Sequence, residues 1–389
     1  MKPSVLFVDD NENILQGLRR NLRSVHREWD MRFATNGAEA LKLMDETPVD
    51  VVVSDIRMPV KDGVALLTEA RQRHGQSIRL VLSGQCDEKD IAPLLEVSHQ
   101  YLAKPMDTEV IIATIKSILE AQCHLQDAGL KKFITGLASL PSLPSLYADI
   151  TTELRGARPS AQMVEQFLLR DISLVAKIFQ ILNSSYFGVN GDINTVSFIW
   201  EALGIERMKA LMLGGHIALQ PDKTLENDPF IAELWNMSLM TARIARLIAK
   251  AEDLPKKAYD KVWVAGLLHA IGAVALYEYQ REKSGTVDSA GLLDAARPAD
   301  SYVDAGMFLA VLWGLPHDIR HVIRWHAAPE KADDGGDKNV LAIVHVARAF
   351  ALAREDSAKA EEDYLHIDFL EQMGVSEKLA RWKTVADTI

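Results

Sequence analysis

The sequence predicts a multidomain chain in which a doubly wound α/β domain of (βα)5 type is followed by an all-α domain. Three observations carry this prediction. Up to about residue 120, short β-branched runs alternate with amphipathic stretches, the pattern of a parallel sheet covered by crossover helices. From about residue 122 onward strand signals nearly vanish, while helical periodicity, glycine stops and prolines at helix starts recur to the end. At 389 residues, finally, the chain is too long for one domain of ordinary size.

Taken in order, Val5–Val8, Val49–Val53 and Ile78–Leu82 read as strands, and 12–25, 37–46, 64–73 and 108–121 as helices. A further helix is expected near 88–96 and a strand around Tyr101. Val49-Asp50-Val51-Val52-Val53 is almost continuously apolar, as a strand covered on both faces requires. Between Ile111 and Leu137 there is no proline, so the last helix of the first domain is expected to run on and join the domains semi-rigidly. Leu140-Pro141-Ser142-Leu143-Pro144 ends that stretch. The chain thus divides into a first domain over 1–122, a helical linker over 123–138, a helical domain over 139–350 and a helical extension over 351–389. Glu355 to Asp363, rich in acid and alanine, reads as solvated surface.

The composition, 48% hydrophobic and 25% charged without a low-complexity tract, is that of an ordinary globular protein. A net charge of −11, spread over both halves, argues against nucleic acid, whose phosphates need a basic face. Cys86 and Cys123 lie in no paired Cys/His spacing, which suggests neither a disulfide framework nor a zinc module and fits a reducing cytoplasm. The opening Met-Lys-Pro-Ser-Val-Leu-Phe-Val-Asp-Asp meets acidic residues too soon for a signal peptide. The longest nearly apolar run, Val262 to Leu276, is shorter than the roughly 20 residues of a membrane span and contains His269. It reads as a buried core helix, and no membrane association is expected.

In an open α/β sheet, ligands bind beyond the carboxyl ends of the strands. The residues there are Asp9 and Asp10, then Asp55, then Ser83, then Lys104. Three carboxylates, a hydroxyl and an ammonium converge at one edge. Like charges so close raise one another's pKa unless a cation sits among them, and hard oxygen ligands suit Mg²⁺. A carboxylate beside Mg²⁺ can attack a phosphoryl group while Lys104 and Ser83 contact the transferred oxygens. Val8-Asp9-Asp10, Ser54-Asp55-Ile56-Arg57-Met58-Pro59, Asp62-Gly63, Leu82-Ser83-Gly84 and Lys104-Pro105 together resemble the receiver domain of two-component response regulators over residues 4 to about 120. That resemblance implies Asp55 as phosphoacceptor, Asp10 as a direct Mg²⁺ ligand, Asp9 as a ligand through water, and the backbone carbonyl of Arg57 as a further ligand. It also implies that Ser83 follows the phosphoryl group and that Tyr101 reorients with it.

Leu140 to Tyr147, Arg170-Asp171-Ile172-Ser173-Leu174, Leu182 to Gly188, Ala202-Leu203-Gly204, and the stretch from Gly306 through Trp313-Gly314-Leu315-Pro316 to Trp325-His326 resemble the HDOD family over roughly 135–350. This family is similar to HD phosphohydrolases and implies their helical fold without their chemistry. The ligand positions of an HD site bear this out at the level of residue type: Leu234-Trp235-Asn236-Met237-Ser238 carries Met237 where a histidine is expected, and Gly266 to Gly272 carries Ala270 where the aspartate is expected. Further on, Trp325-His326 replaces a His-His pair, Tyr302 a histidine and Arg348 an aspartate. A hydrolytic metal centre needs about three protein ligands, and His269 and His326 alone do not supply them, so no metal is expected in this domain. Arg243, Arg246 and Lys250 read as a solvated stripe on a helix whose other face packs.

The expected function is therefore a cytoplasmic signalling adaptor with no enzymatic activity beyond phosphorylation and dephosphorylation of its receiver. A sensor histidine kinase would act upstream. The downstream signalling protein is unidentified, with a cyclic di-GMP enzyme a candidate by resemblance, and a homodimer is compatible with the sequence. The alternative is a metal-dependent phosphodiesterase of HD type acting on cyclic di-GMP, against which Met237 and Ala270 weigh.

Overall fold

The computed structural model describes residues 2–84, 94, 96–104, 107–142, 144–156, 158–168, 170–182, 204–206, 208, 209, 212, 225, 228–285, 287, 289–293, 300–333, 335–355 and 360–389. Strands β1 (Ser4–Val8), β2 (Asp30–Ala34), β3 (Val51–Ser54), β4 (Ile78–Ser83) and β5 (Gln100–Ala103) form one sheet in the order β2-β1-β3-β4-β5, parallel throughout. Helices α1 (Glu12–Asn21), α2 (Gly37–Glu46), α3 (Gly63–Arg73) and α4 (Thr108–Cys123) cover its faces. Each begins at an Asn or Asp whose side chain accepts a backbone N–H of the first turn: Asn11, Asn36, Asp62 and Asp107. Alternate residues of the strands face two different cores. Leu6, Val8 and Val52 pack with α2 and α3, whereas Val5, Phe7, Val51 and Val53 pack with α1 and α4.

The predicted alternation is found among the described residues, with two differences. The helix expected over 12–25 ends at Asn21 and closes in a 3₁₀ turn over Leu22–Val25. The edge strand β2 carries Asp30 and Arg32, which obscure its period-2 signal. The helix expected near 88–96 falls largely outside the described residues.

The expected continuous helix between the domains is broken. α4 stops at Cys123, and a new helix α5 (Ala128–Gly136) starts from Asp127, whose carboxylate accepts the N–H groups of Gly129 and Leu130. Asp300, at φ 55, accepts the N–H groups of Gln126 and Asp127. The free backbone donors of the turn thus find carboxylate acceptors, a stronger outcome than continuing a helix through them.

The second region is helical among the described residues: α6 (Pro144–Arg155), α7 (Ala161–Leu168), α8 (Ile172–Leu182), α9 (Pro229–Ala251), α10 (Lys256–Leu268), α11 (Ile271–Ser284), α12 (Ser289–Leu292), α13 (Tyr302–Leu312), α14 (His317–Trp325), α15 (Lys338–Glu355), α16 (Ile367–Gln372) and α17 (Leu379–Ala386). The run Val262–Leu276 is buried as expected, yet it is two helices, not one. His269 ends α10 by donating from Nδ1 to the Gly266 carbonyl at 2.6 Å, and α11 begins after Ala270. The stretch Lys256–Ser284 is apolar enough and long enough to cross a membrane, but 83% of its most apolar window is buried inside the protein. One continuous apolar cluster runs from Phe7 through Ile115 of α4 and Ile134 of α5 into α8, α9, α10 and α13.

Candidate functional site

The register of β1 on β3 decides the geometry. Val8 pairs with Ser54, so Asp9 and Asp55 stand one step beyond neighbouring strand ends, and Asp55 N–H donates to the Val8 carbonyl at 2.8 Å. Ligand oxygens of Asp9, Asp10 and Asp55 all lie within 4.8 Å of one another. Lys104, just past β5, reaches across: its ammonium is 2.6 Å from Asp9 Oδ2 and 3.1 Å from Asp55 Oδ2. Asp9 is buried and Asp10 exposed. Four of the expected residues therefore converge. Ser83 ends β4, but its side chain lies outside the described residues, as does Pro105.

The loop after β3 holds Asp55 rigidly. Oδ1 accepts from Ile56 N–H at 2.8 Å, and Ser54 Oγ donates to the Asp55 carbonyl at 2.7 Å. Gly63 N–H donates to the Ile56 carbonyl at 2.7 Å. A Cβ on Gly63 would stand 2.1 Å from the Asp55 carbonyl oxygen, so only glycine lets α3 start this close. Val60, at φ 71 and 90% exposed, forms the crest of this loop. Arg57 lines an open cavity of about 460 Å³ together with Asp10, Met58, Pro59 and Asp62.

Burial raises the Asp55 carboxyl above its ordinary pKa; Lys104 opposes the rise by charge and hydrogen bonding, and Asp9 adds to it. Three carboxylates face one ammonium. That surplus of anionic oxygen, partly removed from water, is a donor set suited to a hard divalent cation. Tyr101 is buried, its hydroxyl donating to the Gly84 carbonyl at 2.9 Å.

The second candidate site gathers four of the residues expected around a lost metal. His326 Nδ1 lies against the carbonyls of Val322 and Ile323 and so carries the proton, which leaves Nε2 to accept from the Tyr302 hydroxyl at 2.8 Å. The His269 and His326 rings meet edge to face at 4.9 Å, and Arg348 Nη2 lies 3.5 Å from the Tyr302 oxygen. Burial pushes His269 down to about 3 and His326 well below its ordinary value, and the Arg348 charge adds to both shifts. Met237 and Ala270 are buried among apolar neighbours. A guanidinium beside two neutral imidazoles opposes a divalent cation there.

Several motifs of the second region are structural. Ser142 donates to Asp171, which starts α8 by accepting Leu174 N–H at 3.0 Å; burial lifts the Asp171 carboxyl to about 6. Gly272 and Gly306 let α11 and α13 cross in backbone contact. Asn183 to Gly188 lie outside the described residues.

Sequence reasoning missed the groups that join the domains: Arg79, His99, Gln100, Lys177 and Gln180. A signal existed. Arg79 is a charge inside the predicted strand Ile78–Leu82, and Lys177 is a charge inside the mainly apolar Ile172–Leu182, and both are buried.

Comparison with known proteins agrees with these two regions. A family model described as response regulator receiver domain matches residues 5–116, and one described as HDOD domain matches residues 140–329. The transcriptional regulatory protein PrrA of Mycobacterium leprae (strain TN) is 37% identical over 118 residues, 30% of this chain and 50% of that protein. The sensor kinase CckA of Brucella abortus (strain 2308) is 34% identical over 122 residues, 31% of this chain and 13% of that protein. The chain thus spans half or less of the length of these relatives. The crystal structure of the signal receiver domain of an HD domain-containing protein from Pseudomonas fluorescens Pf-5 is 32% identical and covers 31% of this chain and 96% of that one, at a TM-score of 0.30. The chain therefore carries, in this order, the receiver domain of a two-component response regulator and an HDOD domain.

Proposed function

We propose that this chain is a phosphorylation-dependent signalling protein in which Asp55 accepts a phosphoryl group from a histidine kinase and a non-catalytic HDOD domain relays the change through protein contacts. The observation that carries this reading is the convergence of Asp9, Asp10 and Lys104 on the Asp55 carboxylate. Asp9, Asp10, Asp55 and the Arg57 carbonyl would hold Mg²⁺, which supplies charge neutralisation at the transferred oxygens. An Asp55 carboxylate oxygen attacks phosphorus, the bond to the donor nitrogen breaks, and that nitrogen leaves with its electron pair and takes up a proton. Lys104 then exchanges part of its contact with Asp55 for a phosphoryl oxygen. Its position between two carboxylates keeps it oriented for this. Ser83 and Tyr101 belong to the same reading as the groups that follow the phosphoryl oxygens.

Relay to the helical domain is supported by direct contact. Gln100 Nε2 of β5 donates to the Val311 carbonyl at 2.6 Å, and Arg320 of α14 donates to Ser117 Oγ of α4 at 3.0 Å. The receiver sheet, α4 and α13 share one apolar cluster. The likeness to a sensor kinase supports a kinase as upstream partner. The downstream partner we place among signalling proteins, with cyclic di-GMP enzymes as candidates, and the setting in the cytoplasm.

The test is intact mass after treatment with a small phosphodonor and Mg²⁺. One acid-labile phosphoryl group is expected in the 389-residue protein and none in Asp55→Asn; incorporation in that variant at the wild-type level overturns the assignment. The alternative phosphodiesterase reading requires turnover of cyclic di-GMP that tracks bound metal and disappears in His269→Ala. Met237 and Ala270 in two of the expected ligand positions and the Arg348 guanidinium beside Tyr302 oppose it.

A further inference from the structure

The starts of β4 and β5 meet α5 and α8 through a buried polar seam built on basic side chains. Arg79 is 2% exposed. It donates from Nε to the Val97 carbonyl (2.6 Å), from Nη1 to the Ser77 carbonyl (2.9 Å) and from Nη2 to the Thr135 carbonyl of α5 (3.1 Å). His99, also 2% exposed, lies between the two sides. Its Nδ1 accepts from the Arg79 backbone N–H at 2.9 Å, so Nε2 carries the ring proton and donates to the Thr135 carbonyl at 2.8 Å. From α8, Gln180 Nε2 donates to the His99 carbonyl at 3.1 Å, and Lys177 Nζ donates to Gln180 Oε1 at 2.9 Å and to the Ala138 carbonyl at 2.6 Å. Beside it, Gln100 packs on Gly314, where a Cβ would stand 3.2 Å from its amide carbon.

We infer that this seam is an acid-opened latch: it accommodates the His99 ring only with a single proton, so a second proton parts the receiver's β5 edge from α5 and α8. The geometry gives the reason. A proton on Nδ1 would face the Arg79 N–H head-on across 2.9 Å, replacing a hydrogen bond with a donor–donor clash. It would also add a positive charge 3.0 Å from Arg79 Nη2. The charges facing the ring are Arg79 on β4, Lys177 on α8 and Arg71 on α3, all positive; the acid of the set, Glu96, faces Lys177.

Burial agrees in sign. It pushes His99 well below its ordinary value and Lys177 down to about 7, so the closed seam holds fewer protons than the open one and acid favours opening. A histidine that regains an ordinary pKa on opening raises the opening constant about 30-fold between pH 8 and pH 5. Lys177 acts in the same direction from its ordinary range down to about 7. The latch does not depend on phosphoryl chemistry, and it is tested without phosphodonor or Mg²⁺, so its failure leaves the Asp55 reading standing.

The test is hydrogen exchange of the 389-residue protein at pH 8 and pH 5, each amide divided by its intrinsic rate, with β1 amides as the control for global unfolding. Protection at 99–102 and 134–138 should fall about 300-fold at pH 5, about 30-fold through His99 and about tenfold through Lys177, while β1 keeps its protection. In His99→Gln, whose amide accepts from Arg79 N–H and donates to Thr135 without titrating, it should fall only about tenfold, the share that Lys177 supplies by itself. The inference is overturned if the wild-type seam keeps its protection at pH 5, or if H99Q loses as much as wild type. Should H99Q unfold, as shown by β1, Lys177→Met serves instead. Between pH 9 and pH 7 its seam should open at least about tenfold less than that of wild type, and an equal response overturns the latch.

Discussion

Gly272 and Gly306 face one another where α11 crosses α13, so closely that a Cβ on Gly272 would stand 2.3 Å from Gly306 N and 1.9 Å from the Tyr302 carbonyl oxygen. The atoms in the way are backbone and cannot swing aside. Gly272→Ala is therefore expected to destabilise the helical domain by more than about 4 kcal/mol, beyond ordinary overpacking. A Cβ on Gly306 meets its nearest atoms at 3.1 Å, so Gly306→Ala should cost about 1–2 kcal/mol. Denaturant unfolding of the two variants checks this; equal losses would show that the crossing is not the constraint.

The Tyr302 hydroxyl satisfies His326 Nε2 in a place without water access. Tyr302→Phe should cost about 1–2 kcal/mol, because a buried acceptor is left without a donor. Replacing the imidazole as well, in Tyr302→Phe/His326→Phe, should recover part of that loss, since neither polar partner then remains. A double-mutant cycle by chemical unfolding measures the coupling, and strict additivity would count against the bond.

Val60 holds a left-handed backbone while burying almost nothing, being 90% exposed. A β-branched residue there stores about 1–2 kcal/mol of strain, and glycine removes it at the expense of a looser unfolded chain. Val60→Gly should thus stabilise the receiver by about 0.5–1 kcal/mol, seen as a higher unfolding midpoint, whereas Val60→Ala should not.

The Asp171 carboxyl, lifted to about 6, binds its proton more tightly in the folded chain than in the unfolded one. Its contribution is greatest below its ordinary value of 3.8 and is lost as pH rises through about 6. Asp171→Asn keeps a cap for α8 without the buried charge. The variant should gain stability relative to wild type as pH rises from 4 to 7, by about 2 kcal/mol, and the difference should level off above that. Parallel stability curves for the two proteins would refute the assignment.

The clustering of Asp9, Asp55 and Lys104 was legible because these residues stand where strands end, and strand ends are marked by apolar runs stopping there. The parallel sheet with its crossover helices followed from alternation, whereas the strand order β2-β1-β3-β4-β5 did not. What was not legible depends on partners distant in sequence. The break after Cys123 is set by Asp300, and the split at His269 by a side chain competing for the Gly266 carbonyl, and no proline marks either place. The losses at Met237 and Ala270 were readable by residue type, whereas the way Tyr302 and Arg348 refill the place required coordinates.

The carboxylate of Asp300 grips the turn between α4 and α5 by the main-chain N–H groups of Gln126 and Asp127. Such a clasp is blind to which side chains occupy 124–126 and sensitive to how many residues there are. Asp127, held in turn by the Tyr279 hydroxyl at 2.9 Å and by Lys283 at 3.2 Å, fixes the other end of the count. At the exposed position 126 the clasp would thus tolerate a foreign side chain, provided the chain arrives at Asp127 after the same number of steps. One residue more or fewer would leave the clasp closing on nothing.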